Sequence, residues 1–275
     1  LLGWFFRGCS GSGCVGGTIF EDAAHTQSSA FGSLLWREPS VFDGVLRAAW
    51  QDYPPEVRLA NLFPSGDLDL NRLLFLLKKI SIDNAAIAQA ALKGWWEFVF
   101  AYPGAPMIFQ GDELGLTEEG EFVNGAYRDT GGTMLPFPRS STPQWYRPDL
   151  ALGRHVRRLA SMRHAYRALQ DGVVLHGAVV DDANDLYGFA RKWSDASGQQ
   201  VAIAVFSRNA ATRSVTVPVA VYGLANGTVM REVLTGSSST VTGGALSVAV
   251  PPFSSAILVE EAKADQPAAA LPSAQ

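Results

Sequence analysis

The sequence predicts an α/β region over residues 1–172 followed by an all-β region over 173–260, and two kinds of pattern predict it. Before Gly172, helical apolar periods alternate with short apolar runs. From Val173 onward the chain has only short alternating or β-branched runs separated by turn residues, which is the pattern of a sandwich or a barrel. A third observation makes the chain globular: 47% of its 275 residues are apolar and only 17% are charged, enough to bury a substantial core and far from a disordered composition.

In chain order, residues 1–33 are rich in Gly, Ser and Cys without a helical period, apart from a strand-like run Thr18-Ile19-Phe20 that ends at Glu21-Asp22. Val41, Phe42, Val45, Leu46 and Ala49 recur at three- and four-residue spacing, predicting a short amphipathic helix closed by Tyr53-Pro54-Pro55. Val57 to Phe63 reads as a short buried strand. Asp83 or Asn84 can cap the next helix, AAIAQAALKGWWEFVF, which is apolar on nearly all sides and so is expected to pack on more than one face. Tyr102-Pro103-Gly104 ends it, and Ala105 to Phe109 reads as a strand that stops at Gln110-Gly111-Asp112-Glu113. Residues 117–148 read as a long irregular segment rich in Gly, Pro, Thr and Ser.

A further helix carries Leu152, Val156, Leu159, Met162, Tyr166 and Leu169 on one stripe, with five arginines, His155 and His164 assigned to its outer faces, and Asp171-Gly172 stops it. The β runs follow: VVLHGAVV, DLYGFARKW, QVAIAVFSR, RSVTVPVAV, TVMREVL, STVTGGALSVAV and SAILVEE. Residues 261–275 have little to bury and read as a disordered tail.

A formal net charge of −4 without a Lys/Arg run gives no electrostatic footprint for nucleic acid or an anionic membrane. The longest apolar stretch, Gly94 to Phe109, is interrupted by Glu97 and Pro103 and is too short to span a bilayer. Cys9 and Cys14 make at most one small local bridge or half of a metal site, and they do not fix the redox compartment. The run Gly11 to Gly16 matches G-x-G-x-x-G, but no strand pattern precedes it and no helical pattern follows, which argues against a dinucleotide site. The four histidines have no metal-ligand spacing with one another. Trp95 and Trp96 read as core, whereas Trp145 and Tyr146 sit in a loop where they can stack on a sugar ring. The chain opens at Leu1 without a signal pattern, and its N-terminus is expected to lie upstream.

Alternation of strands and helices in a parallel barrel or open sheet places function at the C-terminal ends of the strands. Two acidic clusters fall there: Asp67 and Asp69 after the first strand, and Asp112 and Glu113 after the second. The alternative is that they are loop acids capping the next helix or pairing with Arg72.

These segments resemble a known family. YPGAPMIFQGDELGL, from Tyr102 to Leu116, looks very much like the last barrel strand of the α-amylase family of glycoside hydrolases, in its neopullulanase/cyclomaltodextrinase-like branch. NLFPSGD, from Asn61 to Asp67, is similar to that family's seventh-strand segment ending in His-Asp. DTGGTMLPFP resembles the loop after strand eight, and LASMRHAYRALQDG resembles the closing helix. The resemblance covers roughly residues 40–260. It implies the C-terminal part of a (β/α)8 TIM barrel, strands five to eight at most, followed by a Greek-key β-sandwich.

It also implies retaining cleavage or transfer of α-glucosidic bonds in α-glucans or maltooligosaccharides, with a nucleophile, a general acid and a third carboxylate that steadies the oxocarbenium-like sugar. Spacing from Asn61 assigns the third carboxylate to Asp67, and spacing back from Arg72 assigns it to Asp69; in both alignments the family's histidine is absent, replaced by Gly66 or Leu68. Glu21 is the nearest candidate for the general acid, with a surface-loop acid as its alternative. Arg72, Asp112, Glu113 and Trp145 are the candidate substrate neighbours. No Gly-x-Arg-x-Asp strand supplies a nucleophile, so the chain is expected to be inactive alone. The competing reading is a non-catalytic amylase-like scaffold or carbohydrate-binding protein, and independent starch binding by the β region is a third. No cofactor is assigned, and calcium binding, oligomeric state and compartment stay open.

Overall fold

The computed structural model describes residues 38–53, 58–59, 62–64, 73–74, 77, 84–109, 111–115, 120–123, 126–129, 134–135 and 150–261. Among them the architecture is mostly antiparallel sheet with few helices.

Helix α1 (Pro39–Gln51) starts with proline in its first turn, where the missing N–H is no loss, and buries Phe42, Leu46 and Ala49. The predicted strand from Val57 is shorter than expected: β1 is Leu62–Pro64. Arg58 is helical instead, because its guanidinium donates to the Tyr53 carbonyl at 2.8 Å and lies 5.4 Å above the Trp50 ring, folding this part back on the end of α1. Helix α2 (Ala85–Ala101) is capped by Asn84, whose Oδ1 accepts from Ile87 N at 3.2 Å. Every residue from Trp95 to Ala101 is buried, Glu97 included. Strand β2 (Ala105–Met107) pairs in parallel with β1, Leu62 opposite Ala105 and Pro64 opposite Met107.

The segment read as irregular contains a three-stranded antiparallel sheet, β3 (Gly120–Val123), β4 (Ala126–Asp129) and β5 (Met134–Leu135). The last predicted helix is two helices, α3 (Leu150–Ala165) and α4 (Arg167–Gln170), broken at Tyr166, whose backbone is extended at φ −119° and ψ 117°. The Gln200 side chain receives Ala168 N at 2.9 Å across the break, and Gln170 Nε2 donates to the His164 carbonyl. Two residues of α3 assigned to the outer surface turn inward, Arg163 and His155, because each meets a polar group of α2.

The strands after Gly172 are β6 (Val173–Asp181), β7 (Leu186–Asp195), β8 (Gly198–Ser207), β9 (Arg213–Pro218), β10 (Val229–Glu232), β11 (Ser238–Thr240), β12 (Ala245–Val250) and β13 (Ser255–Glu260). Six of them form a sheet in the order β11-β10-β13-β8-β7-β6, and β12 pairs with β9. Both faces of the large sheet are covered. One face sends Val201, Ile203, Val205, Ala190 and Leu258 against Val217, Leu246, Val248 and Val250 of the β9–β12 pair. The other sends Tyr187, Phe189, Ala202, Ala204, Phe206, Ile257 and Val259 into a core shared with Phe42, Leu46, Trp95, Phe98, Leu159 and Leu169 of the helices. No helix among the described residues is long and apolar enough to cross a membrane.

Candidate functional site

The parallel pairing of β1 and β2 directs the exits of both strands to one end of the pair. Of the seven side chains singled out from the sequence, the structure describes two at that end, Asp112 and Glu113. Asp67, Asp69, Arg72, Glu21 and Trp145 lie outside the described residues.

Asp112 and Glu113 open a single 3₁₀ turn, Asp112–Leu114, bracketed by two left-handed glycines, Gly111 at φ 96° and Gly115 at φ 73°. A side chain at either position would strain the backbone, so the turn depends on both glycines. It is closed by Asp112 N to the Phe109 carbonyl at 3.0 Å and Gly115 N to the Asp112 carbonyl at 2.9 Å. Glu113 folds back on this turn, its Oε2 accepting from Gly111 N at 2.8 Å. Asp112 is only 2% exposed. The turn rests on the start of α3, where a Cβ on Gly153 would sit 3.4 Å from the Glu113 carbonyl. Glu113 therefore shapes the turn, and of the two described acids Asp112 is the more deeply set.

Behind the pair, the bend from α2 into β2 is held by two cations, one half-buried and one fully buried. Arg163 donates to the Phe100, Tyr102 and Gly104 carbonyls at 2.7, 2.8 and 2.5 Å. Arg191 of β7, fully buried, donates to the Ala101 carbonyl at 2.7 Å and to the Gly172 carbonyl at 3.0 Å. Burial lowers the Arg163 guanidinium to about 10 and the Arg191 guanidinium to about 9, the neighbouring Arg163 adding to the second effect. The partial negative charge of carbonyls at helix C-termini compensates these charges. Sequence reading missed both arginines. The visible signal for Arg191 was a cation at an inward position of an otherwise apolar alternation.

Glu97 is a third missed group. It is 3% exposed and accepts from Ser254 Oγ at 3.2 Å, with His155 Nε2 3.3 Å from its other oxygen but not aligned for a hydrogen bond. It joins α2, α3 and the turn before β13. Among the described residues no three His, Cys, Asp or Glu side chains gather as a metal site.

No protein-family model matches the chain. A cyclomaltodextrinase of Geobacillus thermopakistaniensis is 24% identical over 214 residues, which is 78% of this chain and 31% of that protein. An α-amylase of Streptomyces lividans is 28% identical over 267 residues, 91% of this chain and 27% of that protein. The chain thus spans about a third or less of these relatives' length. Among solved structures, an Anoxybacillus α-amylase superposes with a TM-score of 0.62 at 15% identity, over 88% of this chain and 45% of that one. A variant of AmyP solved in complex with maltotriose superposes with a TM-score of 0.63 at 18% identity, over 82% and 45% of the two chains. Relatives and structural neighbours agree: over part of their length, this chain is similar to glycoside hydrolases of the α-amylase family.

Proposed function

We propose that the chain is the C-terminal portion of a retaining α-glucosidic hydrolase or transglycosidase acting on α-glucans or maltooligosaccharides, and that it has no turnover by itself. The observation that carries this reading is the parallel pair β1–β2 with the buried Asp112 turn at its exit, formed by the segment whose sequence resembles the family's last barrel strand. Residues 1–172 would then supply barrel strands five to eight at most, and 173–260 the C-terminal Greek-key sandwich.

In this reading the third carboxylate is Asp67, with Asp69 as the alternative that spacing from Arg72 favours. It would steady positive charge on the sugar while Arg72 holds it in place and Trp145 offers a stacking face. Glu21 is the proposed general acid. The 275 residues contain no Gly-x-Arg-x-Asp strand for the nucleophile, and losing one member of a set that acts together removes many powers of ten in rate. No cofactor is needed for this chemistry, because two carboxylates and a water complete it.

Hydrolysis of a chromogenic maltooligosaccharide by the chain as given tests the proposal, with no turnover expected. Turnover that Asp67→Ala abolishes would show that the nucleophile is present after all. The upstream reading frame is expected to encode a Gly-x-Arg-x-Asp strand; a frame without one would favour the non-catalytic scaffold.

A further inference from the structure

Strand β6 is irregular between Leu175 and Val179, where its register with β7 shifts. Gly177 takes φ +71° there, and a Cβ at that position would lie 2.4 Å from Arg47 Nη2. The bulge leads His176 out of the ladder in two directions. Its carbonyl accepts from Arg47 Nη2 of α1 at 2.8 Å, and its ring Nε2 lies 2.8 Å from the hydroxyl of Tyr102, at the end of α2. Around it, Arg47 Nε donates to Asp43 at 2.5 Å, and Tyr187 of β7 donates to the other oxygen of Asp43 at 3.1 Å. The Trp50 ring stands 6.1 Å from the imidazole. Helix α1, the end of α2 and β6 meet at this residue, and β7 joins them through Asp43.

We propose that the His176 bulge is an acid-released latch that docks helix α1 on the β-sheet, closed while the imidazole is neutral and opened when it is protonated. Neutral Nε2 accepts the Tyr102 O–H, whose hydroxyl burial keeps protonated. Protonation removes that acceptor, so the Tyr102 hydroxyl must turn its proton away, and it adds a poorly solvated cation beside Arg47. The groups facing the ring set the balance: Arg47 and burial oppose its charge, Asp43 favours it, and Tyr102 and Tyr187 stay neutral because burial raises both. Desolvation wins, lowering the imidazole to about 4. The ring freed by opening regains an ordinary value near 6.5, so the open state takes up the proton between about pH 6.5 and 4 and the closed state does not. Closure is thus full above that window and weakens as pH falls through it.

Hydrogen exchange on the intact chain tests the latch, with β8 as the internal reference and rates corrected for intrinsic chemistry. Between pH 7 and 4.5, protection of residues 39–51 is expected to fall by about ten- to a hundredfold relative to β8. In His176→Gln, whose side-chain oxygen can accept the same O–H without titrating, that relative fall should vanish. Equal loss of protection in α1 and β8, or an unchanged fall in His176→Gln, would overturn the latch. Proton NMR gives a readout that needs no variant: the His176 ring, assigned through its contacts with Trp50 and Tyr102, should titrate below pH 5. Titration near 6.5 would refute it.

Discussion

Phe98→Ala probes whether the helices and the β-sheet share one cooperative core. Phe98 is fully buried and its ring meets Phe42 of α1 at 5.4 Å, Trp95 at 5.4 Å, Tyr102 at 5.2 Å, Phe189 of β7 at 5.8 Å and Phe206 of β8 at 5.3 Å. Truncating a buried phenylalanine costs about 3–5 kcal/mol through lost transfer energy and the cavity left behind. The upper half of that range is expected here, because edge-to-face and stacked ring contacts on five sides add to area burial. With a urea slope of about 3 kcal/mol per M, the unfolding midpoint should drop by about 1.3–1.7 M. Near-UV circular dichroism follows the aromatic core and the far-UV signal follows the strands. Both transitions should move together by the same amount, with exposed Val221→Ala as the control that moves neither. A strand transition left in place while the aromatic one shifts would refute the shared core and make residues 173–260 an independent unit.

Gly94→Ala should destabilise the chain by about 1–3 kcal/mol despite the better helix propensity of alanine, because its Cβ would stand 2.8 Å from the Phe253 carbonyl; thermal unfolding measures it, and a raised midpoint would mean that this approach is looser than described. Arg191→Met strips the Ala101 and Gly172 carbonyls of their donor and should cost about 2–3 kcal/mol, read in the same urea titration; no loss would mean that burying the charge had cancelled the gain from its hydrogen bonds.

The strands after Val173 were legible because alternation against a half-buried surface is a local signal, and the predicted runs fall on β6 to β13. Helix α2 was legible for similar reasons, through the Asn84 cap and the Tyr102-Pro103-Gly104 stop. What escaped depends on partners distant in sequence. The break at Tyr166 is bridged by Gln200, a contact that no window of sequence contains, whereas Arg58 turns back on Trp50 through a local contact that carries no periodic signal. The strands β3 to β5 are two to four residues long, too short for a period. At the candidate site the sequence marked the acids of the Asp112 turn, but the two arginines that fix the bend behind it looked like ordinary members of a helix and a strand. Their inward orientation becomes visible only when α2 brings its carbonyls to meet them.

Strand β8 has a consequence for how this protein can be watched. Its neighbouring residues belong to different interiors: Val201, Ile203 and Val205 face the β9–β12 pair, whereas Ala202, Ala204 and Phe206 face the helices. It is a party wall, and adjacent side chains a few ångströms apart look into separate rooms. Isotope labels on alternate residues of this one strand would therefore report independently on the two halves of the molecule, each serving as the other's control.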